Sequence, residues 1–201
     1  MNPLIILDPG HGGQDIGATG YDSTDRLIKE ADLNLYISTY LFYRLLMSGI
    51  VDSAKLILTR YHDTTLSLFD RVFIANRAYA DHPENKVIFI SIHCNSNEGK
   101  PATGFEVWTS PGETESDHLA SILISRFQAA QDDLWTRKDM SDDDPDKEGN
   151  LYVLGKTKMP AILVECGFIN NKYDIGLLLK EDYHRKIGDA LIPAISDFLH
   201  I

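Results

Sequence analysis

The sequence predicts an α/β fold: a single domain with a central, mostly parallel twisted sheet flanked by helices. Three observations predict it. Short, continuously apolar runs recur along the chain, as strands buried on both faces do. Between them lie longer segments with apolar residues at helical spacing. The two kinds alternate without an internal repeat, which is the pattern of βαβ units. At 201 residues the chain is most simply one domain, long enough to bury a substantial core.

The elements follow in order. PLIILD (3–8) reads as a buried strand. A polar, glycine-bearing stretch runs on to Lys29 with no regular element expected. From Glu30 to Ser48, Leu33, Ile37, Tyr40, Leu41 and Leu45 recur at helical spacing, and Gly49 is a C-terminal stop. KLILTR (55–60) is a second strand and TLSLFDRVFIANRAYA (65–80) a helix. KVIFISIHCN (86–95) is a third strand, apolar on both faces, and GFEVWTS (104–110) alternates as a fourth. Residues 116–130 are helical. AILVEC (161–166), introduced by Pro160, is the last buried strand. Residues 181–199 form a final helix carrying Ile187, Leu191, Ile195 and Phe198, where Pro193 is expected to introduce a kink. The one shift in composition is RKDMSDDDPDKEGN (137–150), which reads as a solvated acidic loop. It lacks the glycine and glutamate spacing of an EF-hand calcium loop.

Composition limits the function. Lys and Arg number 19 against 30 Asp and Glu, a net charge of −11. That balance argues against a nucleic-acid partner, which wants a basic face. Two cysteines, Cys94 and Cys166, are too few for a disulfide scaffold or a Cys-rich zinc site. No apolar run approaches the roughly 18 residues of a membrane span. Residues 1–20 show no basic segment followed by an apolar one, so no signal peptide is visible.

The glycine-rich stretch DPGHGGQDIGATG (8–20) follows the first strand directly. It is not a phosphate cradle. Gly10 and Gly12 fit the first two positions of a dinucleotide fingerprint, but Asp15 occupies the third, where a carboxylate would repel pyrophosphate. No Gly-Lys-Ser or Gly-Lys-Thr follows, so the P-loop fails as well. The glycines instead allow a tight bend that presents His11.

In open α/β sheets, ligands gather beyond the carboxyl ends of the strands. His11, His93 and Glu165 stand at or just past such ends, and Glu30 opens the helix after the glycine loop. Two imidazoles and a carboxylate, with water as fourth ligand, are a known zinc set. Each residue also has an ordinary reading. A lone histidine is more often a hydrogen-bonded surface group, and Glu30 suits a helix N-terminus by its charge. Glu165, an acid inside an apolar strand, needs a salt bridge or a catalytic task, because a lone buried carboxylate is costly. His62, His82, His118, His184 and His200 sit in polar or terminal contexts and are read as non-catalytic. Cys94 and Cys166 directly follow His93 and Glu165. Alternation along a strand turns their side chains to the opposite, core face.

With these residues in place, the sequence resembles the zinc-dependent N-acetylmuramoyl-L-alanine amidases of bacterial cell walls and phage endolysins. The resemblance spans nearly the whole chain. It rests on ILDPGHGGQDIGATG (6–20), KEADLNL (29–35), LTRYHDTTLSLFDRVFIAN (58–76), ISIHCNSN (90–97), GFEVW (104–108) and MPAILVECGFINN (159–171). It implies that His11, Glu30 and His93 bind Zn2+ and that Glu165 is catalytic. It implies hydrolysis of the amide between N-acetylmuramic acid and the L-alanine of the stem peptide, by zinc-activated water with Glu165 as general base. Peptidoglycan is then the partner and the cell wall the place of action, extracellular or periplasmic, with no membrane insertion. Residues 1–201 are expected to form the catalytic domain. Ala31 and Cys94 depart from the residues usual in the family beside the ligands, and neither alters a ligand.

Some family members carry an inserted helix that blocks the cleft until a partner removes it. The stretch 104–119 has no room for one, so no activator protein is expected. The loops 95–103 and 110–117 would set stem-peptide preference by shape. Three alternatives stay open: a zinc peptidase cutting within the stem peptide, an inactive wall-binding module, and a protein using zinc only to fold. Filled catalytic positions argue against the second. Three ligands rather than four argue against the third.

Overall fold

A computed structural model describes residues 3–84, 86–99, 102–130, 134–141 and 143–201. Positions 100 and 101 of the 95–103 loop and position 142 of the acidic segment lie outside them.

Five segments build the parallel core and its first covering helices. They are β1 (Leu4–Pro9), α1 (Glu30–Ser48), β4 (Leu56–Leu58), α2 (Leu68–Asp81) and β5 (Val87–Asn95). Between β1 and α1 lies a small antiparallel hairpin, β2 (Thr19–Tyr21) with β3 (Leu27–Lys29). The second half holds β6 (Glu106–Thr109), α3 (Glu115–Ala130), β7 (Lys147–Glu148), α4 (Tyr152–Lys156), β8 (Ala161–Phe168), α5 (Lys172–Leu178) and α6 (Glu181–Leu199). The main sheet has six strands in the order β4-β1-β5-β8-β6-β7. β1 pairs in parallel with β4 and β5, and β5 with β8. β6 runs antiparallel to β8, so the sheet is mostly but not wholly parallel.

Burial follows the strand alternation. Ile5, Leu7, Ile88, Ile90, Ile92, Ile162 and Val164 face one layer with residues of α1, α3, α5 and α6. Leu4, Ile6, Val87, Phe89, Ala161 and Leu163 face the other, against α2 and α4. Both faces of the central strands are therefore dry, which explains their unbroken apolar sequence.

Helix ends obey local rules. Gly49, at φ 75°, ends α1. Ser67 and Asp70 form a capping box that starts α2, three residues later than the sequence suggests. α6 extends through Pro193 from Glu181 to Leu199.

Four expectations need correction. The stretch before Lys29 contains the β2–β3 hairpin. The second strand stops at Leu58, because Thr59 and Arg60 turn their side chains into the hydrogen bonds described below. α4 and α5 were not expected from the sequence; each is short, and neither is long enough to show a full amphipathic period. The 137–150 segment is not a purely solvated loop. Asp146 is only 1% exposed, and Lys147 and Glu148 pair in parallel with β6.

Candidate metal centre and active-site cleft

The register of the sheet places the site. His93 of β5 stands directly opposite Glu165 of β8, and Glu165 stands opposite Glu106 of β6. The β5–β8 ladder becomes irregular just after that rung. The two strands thus deliver an imidazole and a carboxylate side by side at their carboxyl ends.

Glu30 completes a three-residue group. It is the first residue of α1 and only 4% exposed. Its Oε2 lies 3.2 Å from His11 Nε2, and its Oε1 lies 3.0 Å from His93 Nδ1. The two imidazole rings meet edge to face at 4.9 Å. Glu30 also accepts hydrogen bonds from the backbone N–H of Ala18 at 2.8 Å and of Cys94 at 3.2 Å. One potential ligand atom from each of His11, Glu30 and His93 lies within 4.8 Å of the others. In a tetrahedral zinc site, ligand atoms are roughly 3.3 Å apart, given metal bonds of about 2.0–2.2 Å. The observed separations and the two-nitrogen, one-oxygen donor set fit that demand. His11 Nδ1 lies 2.9 Å from Asp15 Oδ2. Donating there leaves the Nε2 lone pair for a metal, the usual outer support of a histidine ligand.

The glycines make room for these side chains. A Cβ on Gly10 would stand 2.2 Å from the His93 ring. A Cβ on Gly17, itself at φ 66°, would stand 2.6 Å from Glu30 Oε2 and 2.8 Å from His11 Cδ2. His11 adopts a left-handed φ of 58°. That conformation costs a residue with a Cβ about 1–2 kcal/mol and must be held by its surroundings.

The holding is done by two buried arginines. Arg71 of α2 donates to Asp8 Oδ1 at 2.6 Å, to the Pro9 carbonyl at 2.7 Å and to the His11 carbonyl at 2.7 Å. Arg60 donates to the carbonyls of Pro9, Gly10 and Ala31. Thr59 and Ser91 hydroxyls donate to the two oxygens of Asp8. Asn34 Nδ2 donates to Glu30 Oε1 and to the Gly10 carbonyl, each at 3.3 Å. The sequence alone did not single out Asp8, Asp15, Asn34, Arg60, Arg71 or Glu106 for the site. Signals existed for two of them: Asp8 closes a wholly apolar strand, and Arg71 shares the inward face of α2 with Val72 and Ala75.

The two acids of the site are driven apart. Burial alone would raise Glu30, but hydrogen bonds from His11 and His93 hold its carboxyl well below the usual range. Burial pushes Glu165 well above its ordinary value, and the charges of Glu30 and Glu106 push the same way, opposed by Lys147. Glu165 Oε2 is buried and has no hydrogen-bond partner. Glu106 is itself held by Arg137 at 2.5 Å, Lys147 at 2.8 Å and Asn95 at 2.9 Å.

His11 and His93 border a cleft of about 420 Å³. Its walls are Thr65–Leu68 at the start of α2 and Leu151–Val153 at the start of α4, with Leu163 behind. Cys94 and Cys166 lie in the core, 1% and 0% exposed, as the strand alternation requires. Among the described residues, none of His62, His82, His118, His184 and His200 joins a cluster of potential metal ligands. His184 is buried, with Nε2 2.7 Å from the Leu178 carbonyl. No helix of the described residues is long and apolar enough to cross a membrane.

Comparison with known proteins adds an independent finding. The family profile described as N-acetylmuramoyl-L-alanine amidase matches residues 5–197. The chain is 34% identical over 193 residues to the N-acetylmuramoyl-L-alanine amidase LytC of Bacillus subtilis (strain 168), covering 95% of this chain and 34% of LytC. It thus spans about a third of that relative's length. The solved structure of an N-acetylmuramoyl-L-alanine amidase from Clostridium difficile 630 superimposes with a TM-score of 0.83 at 29% identity, covering 99% of this chain and 97% of the other. The CwlD amidase from Clostridioides difficile, solved in complex with the GerS lipoprotein, gives 0.78 at 27% identity, with 99% of each chain covered.

Proposed function

The chain belongs to the family of N-acetylmuramoyl-L-alanine amidases, hydrolases of peptidoglycan, and from that premise we propose how its own residues do the work. Residues 1–201 form one catalytic domain. His11, Glu30 and His93 hold a zinc ion, and Glu165 is the general base. The observation that carries this reading is the rung on which His93 and Glu165 stand side by side, with Glu30 and His11 closing on His93.

Bound there, zinc supplies Lewis-acid chemistry, acidifying water and polarising an amide carbonyl. The chain does the rest. The cleft between α2 and α4 receives the muramyl peptide. Glu165 accepts a proton from the attacking water as its oxygen bonds to the lactyl carbonyl carbon. It returns that proton to the alanine nitrogen as the C–N bond breaks. Burial raises the Glu165 carboxyl well above its ordinary value, which makes it a stronger base toward the water proton. Asp15 fixes the His11 ring, and Arg60 and Arg71 fix the backbone that presents it.

The test is a digest of purified peptidoglycan with zinc-loaded protein, read by mass spectrometry. Intact stem peptides beginning with L-alanine are expected. Cuts inside the stem peptide would reassign the enzyme as a peptidase. Full activity in a sample verified to be metal-free would remove zinc from the reading.

A further inference from the structure

A second group of carboxylates lies outside the cleft. Asp117 stands in the first turn of α3, and Asp144 and Asp146 stand in the acidic segment just before β7. One oxygen from each lies within 4.8 Å of the others. Asp117 is 8% exposed and Asp146 1%. The protein uses one oxygen on each of these two: Thr109 Oγ1 donates to Asp146 Oδ2 at 2.7 Å, and the Thr114 N–H donates to Asp117 Oδ2. The other oxygen, Oδ1, is buried without a partner on Asp117, on Asp146 and on Asp144 alike. Among the described residues, no lysine or arginine pairs with any of the three.

Three gathered carboxylates, each with one buried oxygen unused, are unfavourable as they stand. A buried acceptor without a donor is costly, and like charges in one place repel. We propose that Asp117, Asp144 and Asp146 form a calcium site. The donors are all oxygens, which selects a hard cation over zinc. Oxygens on opposite sides of Ca2+ lie roughly 4.6–5.2 Å apart, and calcium accepts irregular surroundings, which suits ligands drawn from a helix and a loop. The crowding has already marked the site: burial, then Asp144 and Asp117, push Asp146 up to about 7.

The ion adds a link between segments that already meet through β6 and the turn before α3. It ties the first turn of α3 to the strand β7, whose residues reach across to neighbours. Lys147 donates to Glu106, the acid beside Glu165, and Glu148 accepts the Gly112 N–H at 2.6 Å. The ion thus braces the sheet edge next to the catalytic rung. The site does not rest on the amidase reading.

The experiment is a calcium titration of the zinc-loaded full chain in calcium-free buffer, by calorimetry and thermal melting. One calcium per chain is expected, with Kd at or below about 10⁻³ M, the weak end for extracellular modules. Saturating calcium should raise Tm by roughly 5–10 °C, the shift expected when ligand exceeds Kd about 100-fold in a chain of this size. Asp146→Asn should abolish both effects while zinc content stays at one per chain. Asp144→Asn, at a partly exposed position, should do the same and covers the case in which Asp146→Asn fails to fold. No heat and no Tm shift at 10 mM calcium (about tenfold above that Kd) would overturn the proposal. So would unchanged binding in Asp144→Asn, or a site that takes magnesium and refuses calcium.

Discussion

Glu30 is buried and Glu165 half-buried with its Oε2 enclosed, and their surroundings push the two acids of one site in opposite directions. Two hydrogen-bonded imidazoles keep Glu30 ionised, whereas Glu165 has burial and like charges around it. Such divergence fits the proposed roles, Glu30 as ligand and Glu165 as proton carrier. Glu30→Ala should therefore lose zinc and activity together. Glu165→Ala should keep its zinc and lose turnover by about 10²–10⁴-fold. Metal analysis beside a wall-clearing assay reads both, and equal zinc loss in the two variants would reverse the assignments. Asp15→Ala should weaken zinc about 10–100-fold without touching a ligand, the usual effect of removing a ligand's hydrogen-bond partner. These four site candidates were legible in the sequence because each interrupts its surroundings: a histidine among glycines, an acid opening a helix, a histidine and an acid ending apolar runs. Asp8 and Arg71 offered a weaker signal, a charge in an apolar setting, that named no role. Neither touches the proposed metal, and their meaning appears only when residues 63 positions apart pair across the fold.

At the scale of elements, the glycine loop depends on α2. Arg71 and Asp8 are 3% and 1% exposed and hydrogen-bonded to each other. Arg71→Met should destabilise the protein by about 3–5 kcal/mol in denaturant unfolding, because it strands the Asp8 charge. A loss below 1 kcal/mol (roughly the value of an exposed pair) would show that the clamp is dispensable. The acidic segment gives a pH signature. Burial, with Asp144 and Asp117 beside it, pushes Asp146 up to about 7 from an ordinary 3.8, so its protonated form is the one that folding favours. That contribution is complete below about pH 4 and is lost as pH rises through 7. Calcium-free protein should lose stability over this window, and Asp146→Asn should lose less of it. Equal slopes in the two proteins would count against the shift. Long elements were legible because their apolar period is strong: α1 and α6 match their expected bounds. The β2–β3 hairpin was not, because its strands are three residues each and Gly20 is the buried one of its triplet.

At the scale of the molecule, one core shields both thiols. Native Cys94 and Cys166 should react with a bulky thiol reagent only as fast as the whole domain opens. Rapid labelling would contradict the register of β5 and β8. The described residues between 104 and 119 hold β6, a turn and the start of α3, with no helix laid over the cleft. Isolated cell walls should accordingly be cut without an added protein, and activity that appears only with a partner would show that the cleft is closed by other means. His11, Glu30 and His93 all belong to the first 95 residues, whereas Glu165 arrives on β8, 72 residues after His93. A ribosome adding roughly 5–20 residues per second needs about 4–14 s to cover that distance. The three proposed metal ligands are therefore synthesised before the proposed base. If Glu165 is the base, catalytic competence waits until β8 has been made and inserted between β5 and β6.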